Sequence, residues 1–193
     1  MHGQRIAGPA RTIRGSSTAK AEGKWGTAFS YEFFRQIESG DVVVFDCGGH
    51  DKGGPWGGNT ASTARFQGAQ GIVIDGGTRD YSDLTQMGFP TFCRFVTPVL
   101  AHGIFEIIDF NVPIELTAQL SGKIRVAPGD FVLADDDGIV VIPQQHLEQV
   151  LEFAEYAEDV EKQIRTAIES GEDRQRIDRR LDRWGLLKER LGS

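Results

Sequence analysis

An arginine and an aspartate stand side by side, as Arg79 and Asp80, shortly after an apolar run. The run, residues 71–75, has the sequence GIVID and predicts a buried strand of a parallel sheet. A guanidinium presents a fork of donors to a carboxylate, and an aspartate oxygen is a hard ligand for a divalent cation. Because open α/β sheets bind ligands beyond the carboxyl ends of their strands, the two residues are a candidate ligand site. They also fit an ordinary ion pair in which Asp80 caps the following helix.

A glycine-rich loop forms the second candidate site. Residues 53–60 have the sequence GGPWGGNT, and Asn59 is predicted to cap the helix that follows. Consecutive Gly57 and Gly58 ahead of this helix would leave backbone N–H groups free to bind an anion. The loop lacks the Gly-Lys-Ser/Thr ending of a phosphate-binding loop and contains no GxGxxG pattern. A purely structural turn is therefore an equally good interpretation.

Two weaker patterns favour structural roles. Cys47 and His50 have the spacing of a zinc-ligand pair, but no second pair completes a zinc site. Residues 135–138, DDDG, lack the alternating spacing of a calcium loop and predict a hairpin turn at residues 137–138. Because two cysteines, Cys47 and Cys93, do not make a disulfide framework, we expect a protein of the reducing cytoplasm.

The distribution of charge argues against nucleic-acid and membrane partners. The net charge is −7, of which residues 1–24 carry +4, residues 25–143 carry −8 and residues 144–193 carry −3. No stretch is both long and basic, so we expect no nucleic-acid partner. The apolar runs are far shorter than the ~20 residues of a membrane-spanning helix, so we expect no membrane partner.

The elements that would position the candidate residues alternate between strands and helices. Over residues 41–96 the sequence predicts strand, loop, helix, strand, loop, helix and strand, which indicates an α/β fold with a parallel core. An early strand and turn are predicted at residues 4–15. The later predicted strands are residues 41–46, 71–75 and 90–96, and the predicted helices are residues 30–40 with Ser30 as N-cap, residues 59–69 and residues 81–87. Gly76 and Gly77 are predicted to lead out of their strand as a loop.

The later part of the chain changes character. Short antiparallel strands are predicted at residues 112–120, 123–126 and 131–143. From residue 144, apolar side chains at helical spacing predict two amphipathic helices that are separated at Gly171. We therefore expect an α/β domain at residues 1–143 and a helical extension at residues 144–193. The extension would pack on its own core or on a neighbouring subunit.

Four blocks of this sequence, taken together and in order, resemble the RraA-like family. They are residues 5–14 (RIAGPARTIR), 71–84 (GIVIDGGTRDYSDL), 88–98 (GFPTFCRFVTP) and 128–143 (PGDFVLADDDGIVVIP). This family holds the regulator of ribonuclease E activity A and the metal-dependent 4-hydroxy-4-methyl-2-oxoglutarate/4-carboxy-4-hydroxy-2-oxoadipate aldolases, many of which also decarboxylate oxaloacetate. The resemblance implies a swivelling β/β/α domain that forms homotrimers or hexamers, with active sites in clefts between subunits.

The resemblance also implies roles for the candidate residues. Asp80 would bind a divalent cation, Mg²⁺ or Mn²⁺, and Arg79 would be the catalytic residue that contacts a 2-oxo acid and stabilises a pyruvate enolate. Gly57, Gly58, Asn59 and Thr60 would bind the substrate carboxylate through their backbone N–H groups. Regulator-type members typically replace the aspartate after the arginine, so the sequence favours the enzyme branch. The expected function is a metal-dependent lyase that cleaves a carbon–carbon bond of a small 2-oxo acid.

One position departs from the family pattern. The aldolases usually carry an acid twenty-one residues before the arginine, where this chain has Gly58. That acid is thought to help with proton transfer, and Asn59, Asp83 or an acid of a neighbouring subunit are the candidates to replace it. Two other functions therefore stay open. One is a non-catalytic regulator that binds a protein partner, and the other is a different metal-dependent reaction on the same scaffold.

Overall fold

The structure, a computed structural model, describes residues 3–18 and 28–191. Part of the basic stretch at residues 1–24 and the last two residues of the predicted extension lie outside these described residues. By its internal contacts the chain separates into two compact units, Met1–Gln144 and Gln145–Ser193.

The elements follow the chain in this order: β1 (Ile6–Ser17), α1 (Ala28–Arg35), β2 (Val42–Asp46), α2 (Gly58–Phe66), β3 (Gly71–Thr78), α3 (Tyr81–Met87), β4 (Thr91–Val96), β5 (Phe105–Phe110), β6 (Ile114–Ala118), β7 (Gly122–Val126), β8 (Phe131–Asp135), β9 (Gly138–Ile142), a 3₁₀ turn (Gln144–His146), α4 (Leu147–Glu169), α5 (Arg174–Arg180) and α6 (Gly185–Leu191). Helices thus separate the strands of the first half and follow the strands of the second half. This arrangement is the α/β fold with a C-terminal helical part that the sequence predicts.

Strand β1 lies inside a seven-stranded sheet of order β4-β3-β2-β1-β8-β9, with β5 also paired to β1. The strands β1 to β4 are parallel neighbours, whereas β5 and β8 run antiparallel to β1. The apolar run of β2 has both faces buried, as expected for a strand inside a parallel sheet. The carboxyl ends of β2 and β3, where ligand sites form in such sheets, therefore meet at one edge.

The sheet separates two apolar cores. On one face, Val43 and Phe45 of β2 are fully buried in a cluster to which α1, α2 and α3 contribute. On the other face, Val42 and Val44 pack in a second cluster that includes residues of the β6–β7 hairpin. Successive residues of a strand point to opposite faces, which is why one apolar run supplies both cores.

Charged side chains cross the carboxyl end of the sheet in register. Arg14, Asp46 and Asp75 are aligned on β1, β2 and β3, and Arg94 of β4 donates a hydrogen bond to Asp75. The second oxygen of Asp75 accepts a hydrogen bond from the backbone N–H of Thr117 at 2.7 Å. Because Thr117 belongs to β6, this row of charges fastens the β6–β7 hairpin to the sheet.

Strand β3 is longer than the sequence predicts. Gly76 and Gly77 belong to the strand and not to a loop. A Cβ at Gly76 would lie 2.6 Å from Sγ of Cys47, and a Cβ at Gly77 would lie 2.5 Å from the ring of Phe95. The register of β3 against β4 shifts between Ile74 and Gly77, as in a bulge. These glycines therefore serve close packing inside the sheet.

Three other local predictions are wrong. Helix α1 spans Ala28–Arg35, so Ser30 lies inside the helix and cannot be its N-cap. The helix ends five residues before Gly40, which has a positive φ of +99° in a separate turn. The hairpin turn consists of residues 136–137, because Asp135 pairs with Gly138, the first residue of β9. Strand β5 is not predicted, and β1 continues without a turn to Ser17.

The unit Gln145–Ser193 contains three helices where the sequence predicts two. Helix α4 ends at Glu169, and α5 begins after Asp173, whose side chain accepts a hydrogen bond from the N–H of Arg176. Val160, Ala167 and Ile177 are buried in this unit. None of the helices in the described residues is long and apolar enough to cross a membrane.

His50 is a buried residue at the carboxyl end of the sheet. It is 3 % exposed, its Nδ1 lies 2.8 Å from Oγ of Ser17, and its ring centroid lies 5.0 Å from that of Phe105. Burial lowers the pKa of His50 from its usual value of 6.5. The unfolded chain therefore takes up this proton more readily than the folded chain.

We expect the His50→Phe variant to lose part of the acid sensitivity of the fold. Because the folded-state pKa is lowered, the stability that neutral His50 contributes is present above pH 6.5 and is lost as the pH falls below it. Thermal unfolding between pH 7 and pH 5 measures this slope, with the exposed His102→Gln variant as control. Equal slopes for His50→Phe and the wild type would contradict the expectation.

Candidate functional site

The loop before α2 is fastened to the end of β3, and this contact assembles the site. The carbonyl of Trp56 accepts a hydrogen bond from the N–H of Arg79 at 2.8 Å, and Trp56 forms an isolated parallel bridge with Thr78. Trp56 itself is 1 % exposed and anchors the loop in the core. The next two residues, Gly57 and Gly58, are thereby brought against the residues that follow β3.

Asp80 does not cap its own helix. It occupies the N-cap position of α3 with left-handed backbone angles (φ +54°, ψ +35°), and its side chain makes no capping hydrogen bond there. Instead, Oδ2 of Asp80 accepts a hydrogen bond from the N–H of Gly58, the first residue of α2, at 3.0 Å. The interpretation of Asp80 as a simple helix cap is therefore wrong.

The start of α2 also differs from the sequence prediction. Gly57, and not Asn59, is the N-cap, so Asn59 and Thr60 lie in the first turn of the helix. The N–H groups of a first turn have no partner within their helix. Because the N–H of Gly58 already binds Asp80, the N–H groups of Gly57, Asn59 and Thr60 are the ones that remain for an anion. The N-terminus of α2 thus offers three of the four predicted donors.

The side chain of Arg79 makes an ion pair with Asp80 and no hydrogen bond to another described residue. Its Nη2 lies 3.8 Å from Oδ2 of Asp80, and 28 % of its side chain is exposed. Its Nε is buried and has no hydrogen-bond partner among the described residues. Gly54 gives the side chain its room, because a Cβ at Gly54 would lie 2.7 Å from Cγ of Arg79. The exposed part of the guanidinium is therefore the part that can donate to a ligand oxygen.

Gly57 and Gly58 differ in how closely they approach Asp80. A Cβ at Gly57 would lie 2.6 Å from Oδ2 of Asp80 and 3.0 Å from Nη2 of Arg79. A Cβ at Gly58 would lie 3.7 Å from the same oxygen, which is an ordinary contact, and Gly58 has no positive φ. Of these two glycines, only Gly57 must lack a side chain for this arrangement.

We expect Gly57→Ala to displace the Asp80 carboxylate and lower the activity of the site by roughly tenfold or more, because misplacement of about 1 Å can cost ~100-fold. The stability of the fold should change little, since the contacted atom ends a side chain. Gly58→Ala is the matched control and should keep activity. Turnover and thermal unfolding of both variants test this, and an active Gly57→Ala variant would count against the described geometry.

Comparison with known proteins identifies the family. A family model described as RraA-like, Aldolase/RraA, matches residues 1–141. The chain belongs to the RraA-like family. The fold class expected from the four sequence blocks is therefore confirmed.

Relatives of this RraA-like chain carry different names. The 4-hydroxy-4-methyl-2-oxoglutarate aldolase of Thermus thermophilus is 28 % identical over 142 residues, which cover 72 % of this chain and 77 % of that protein. The protein DlpA of Legionella pneumophila is 30 % identical over 171 residues, 88 % of this chain and 26 % of DlpA. The chain spans between 26 % and 65 % of the length of three curated relatives that it matches.

A solved structure also matches. The crystal structure of an unusual member of the RNase ES inhibitor RraA protein family from Streptomyces coelicolor superposes with a TM-score of 0.73 at 27 % identity, covering 86 % of this chain and 78 % of that one. Proteins named as an aldolase and as an RNase inhibitor family member thus share this fold.

The carboxylate of Asp80 in this RraA-like chain could bind one divalent cation directly. The contacts of the Asp80 carboxylate fall on Oδ2, and no described residue donates a hydrogen bond to Oδ1. The side chain is 37 % exposed and so accessible. The described residues contain no group of three or more His, Cys, Asp or Glu side chains that could hold a metal. A cation with a single protein carboxylate and several waters, as Mg²⁺ prefers, is compatible with this set.

The side chains of Arg79 and Asp80 are partly exposed. Two cavities, of about 460 Å³ beside Arg14 and Asp46 and about 290 Å³ beside Arg94, include neither Arg79 nor Asp80. The end of β4 and the loop after it lie next to Thr78 and Gly54, because Thr97 donates to the carbonyl of Thr78 and Gly54 donates to that of Val99. In this segment Val96, Val99 and Leu100 are 54 %, 47 % and 51 % exposed. We call these three residues the apolar rim. The local sequence gives no indication of the rim, because apolar residues after a strand usually predict burial.

Proposed function

We propose that the chain is a divalent-metal-dependent lyase that cleaves a carbon–carbon bond of a small 2-oxo acid. The observation that carries the proposal is the convergence at one point of the Asp80 carboxylate, the Arg79 guanidinium and the N-terminus of α2. A 2-oxo acid presents a carboxylate and a carbonyl oxygen side by side. These are the groups that a cation, a guanidinium and free N–H groups bind.

Each residue has a distinct task in this reaction. Asp80 would hold the cation, Mg²⁺ or Mn²⁺, which when bound acts as a Lewis acid on the 2-oxo acid. The N–H groups of Gly57, Asn59 and Thr60 would bind the carboxylate and orient the substrate. Arg79 would donate from the exposed part of its guanidinium to the oxygen on which negative charge develops as the bond breaks. Cleavage would release carbon dioxide from oxaloacetate, or pyruvate from 4-hydroxy-4-methyl-2-oxoglutarate once its 4-hydroxyl has lost a proton. In both cases the other fragment is a pyruvate enolate, which must then take up a proton.

A neighbouring subunit is the partner that we propose for the open surface. The apolar rim beside Arg79 would be covered in a homotrimer or hexamer, so that the substrate is enclosed between two chains. Covering the rim would exclude water and strengthen the charge interactions of Arg79.

The test is a pyruvate-release assay on oxaloacetate and on 4-hydroxy-4-methyl-2-oxoglutarate, with Mg²⁺, with Mn²⁺ and with EDTA. Metal-dependent release that EDTA abolishes would support the lyase. Release of no pyruvate from either substrate would contradict it.

A non-catalytic regulator is the second candidate, and the likeness to a structure named within an RNase ES inhibitor family favours it. A chain that inhibits RNase activity equally well with and without Asp80→Asn would support this alternative. Asp80→Asn should instead abolish pyruvate release if the chain is a lyase.

A further inference from the structure

A second carboxylate faces the same space as Asp80. Asp83 lies in the first turn of α3, three residues after Asp80. Its Oδ2 lies 3.8 Å from the point that a Cβ at Gly58 would occupy, and Oδ2 of Asp80 lies 3.7 Å from that point. The two carboxylates therefore border one small space beside the N-terminus of α2, and no side chain of residue 58 fills it.

The charge of the site depends on Asp83. Arg79 and Asp80 carry opposite charges, and Nη2 lies 3.8 Å from Oδ2, so the two residues alone have no net charge. A divalent cation beside this neutral pair would meet the repulsion of the guanidinium as well as the attraction of the carboxylate. Asp83 adds a second negative charge at short range, which makes the site attractive to a cation.

No other partner accounts for the charge of Asp83. Among the described residues, none forms an ion pair with Asp83 or donates a hydrogen bond to it. An acid in a first helical turn also interacts favourably with the helix dipole, which is a contribution to stability. Cation binding and stability can be measured separately, so these two roles can be distinguished.

We propose that Asp83 is a positioning residue of the cation site, where it supplies the second carboxylate that makes the site net negative. This inference rests on the proposed function, because the cation concerned is the one that Asp80 would hold. Asp83 acts on the cation through space or through water. The carboxylate of Asp80 remains the direct ligand.

Isothermal titration of the full chain with MnCl₂ tests the proposal. We expect Asp83→Asn to weaken Mn²⁺ binding by about 10- to 100-fold, the usual effect of losing an outer partner of a metal site. Asp83→Glu should bind nearly as well as the wild type because it keeps the charge. Glu148→Gln, which removes an exposed acid in α4, is the control and should change nothing.

A variant that moves the second carboxylate from residue 83 to residue 58 makes the test sharper. An aspartate at residue 58 would extend its carboxylate into the space between Asp80 and Asp83, where a Cβ makes only ordinary contacts. The double variant Gly58→Asp/Asp83→Asn should therefore regain most of the Mn²⁺ affinity that Asp83→Asn loses. Circular dichroism and thermal unfolding verify that each variant is folded.

The outcomes separate this inference from the proposed function. Wild-type affinity in Asp83→Asn together with loss in Asp80→Asn would overturn the role of Asp83 alone. Wild-type affinity in both single variants would overturn the cation position on which the proposed function rests. A loss in Asp83→Asn that neither Asp83→Glu nor the double variant restores would show that charge is not what matters, and would also overturn the inference.

Discussion

Asp80→Asn should abolish metal-dependent pyruvate release and leave the fold intact. Asparagine tolerates the left-handed backbone of this position, and its side-chain oxygen can still accept the N–H of Gly58. Only the negative charge that would hold the cation is lost. A cation contributes several kcal/mol of charge stabilisation to such reactions, so we expect a loss on the order of 10³-fold or more.

The measurement is pyruvate release with Mn²⁺, alongside thermal unfolding. Asp137→Asn is the matched control, because it makes the same chemical change at an exposed hairpin turn, and it should keep full activity. Substantial turnover in Asp80→Asn would remove Asp80 from the proposed cation site.

Arg79→Lys should lower pyruvate release nearly as much as Asp80→Asn does, although it keeps the positive charge. Lysine has no N–H at the buried position of Nε and cannot present two donors in one plane. We expect a loss of about 2–4 kcal/mol of transition-state stabilisation, about 30- to 1,000-fold in kcat, similar to the loss of one oxyanion donor.

Steady-state kinetics separate this effect from weaker substrate binding. A fall in kcat with little change in KM would indicate that Arg79 acts on the transition state. The exposed Arg125→Lys variant on β7 is the control. If Arg79→Lys turned over at a near-normal rate, Arg79 would be a structural partner of Asp80 only.

Much of the fold could be predicted because the core strands are marked in the sequence by runs of apolar, β-branched residues. The β-branched run of β2 and the run that begins β3 predict buried parallel strands without knowledge of any distant contact. Gly76 and Gly77 could not be placed in the same way. Their reason for being glycine lies in Cys47 and Phe95, which are far away in sequence and adjacent in space.

In the candidate site, too, some features are visible in the local sequence and others depend on contacts between distant segments. The side-by-side Arg79 and Asp80 are visible in the sequence, and so is the anion-binding potential of the glycine loop. The partner of Asp80 is not visible, because it depends on the bridge between Trp56 and Thr78 that brings two distant segments together. Local sequence favours a cap on the nearest helix, whereas the chain forms the hydrogen bond to the N-terminus of the preceding helix.

The left-handed backbone of Asp80 limits which amino acids can replace it without destabilising the fold. Glycine, asparagine and aspartate are the residues that adopt such angles at low cost, and of these only aspartate is charged. A single base change converts an aspartate codon into a codon for asparagine or glycine. Asparagine and glycine, the replacements that the fold tolerates best, are therefore each one base change away, and both are uncharged. Loss of the negative charge is an easy step by drift, and it would yield a folded protein that keeps its binding surfaces but lacks the cation site that we propose.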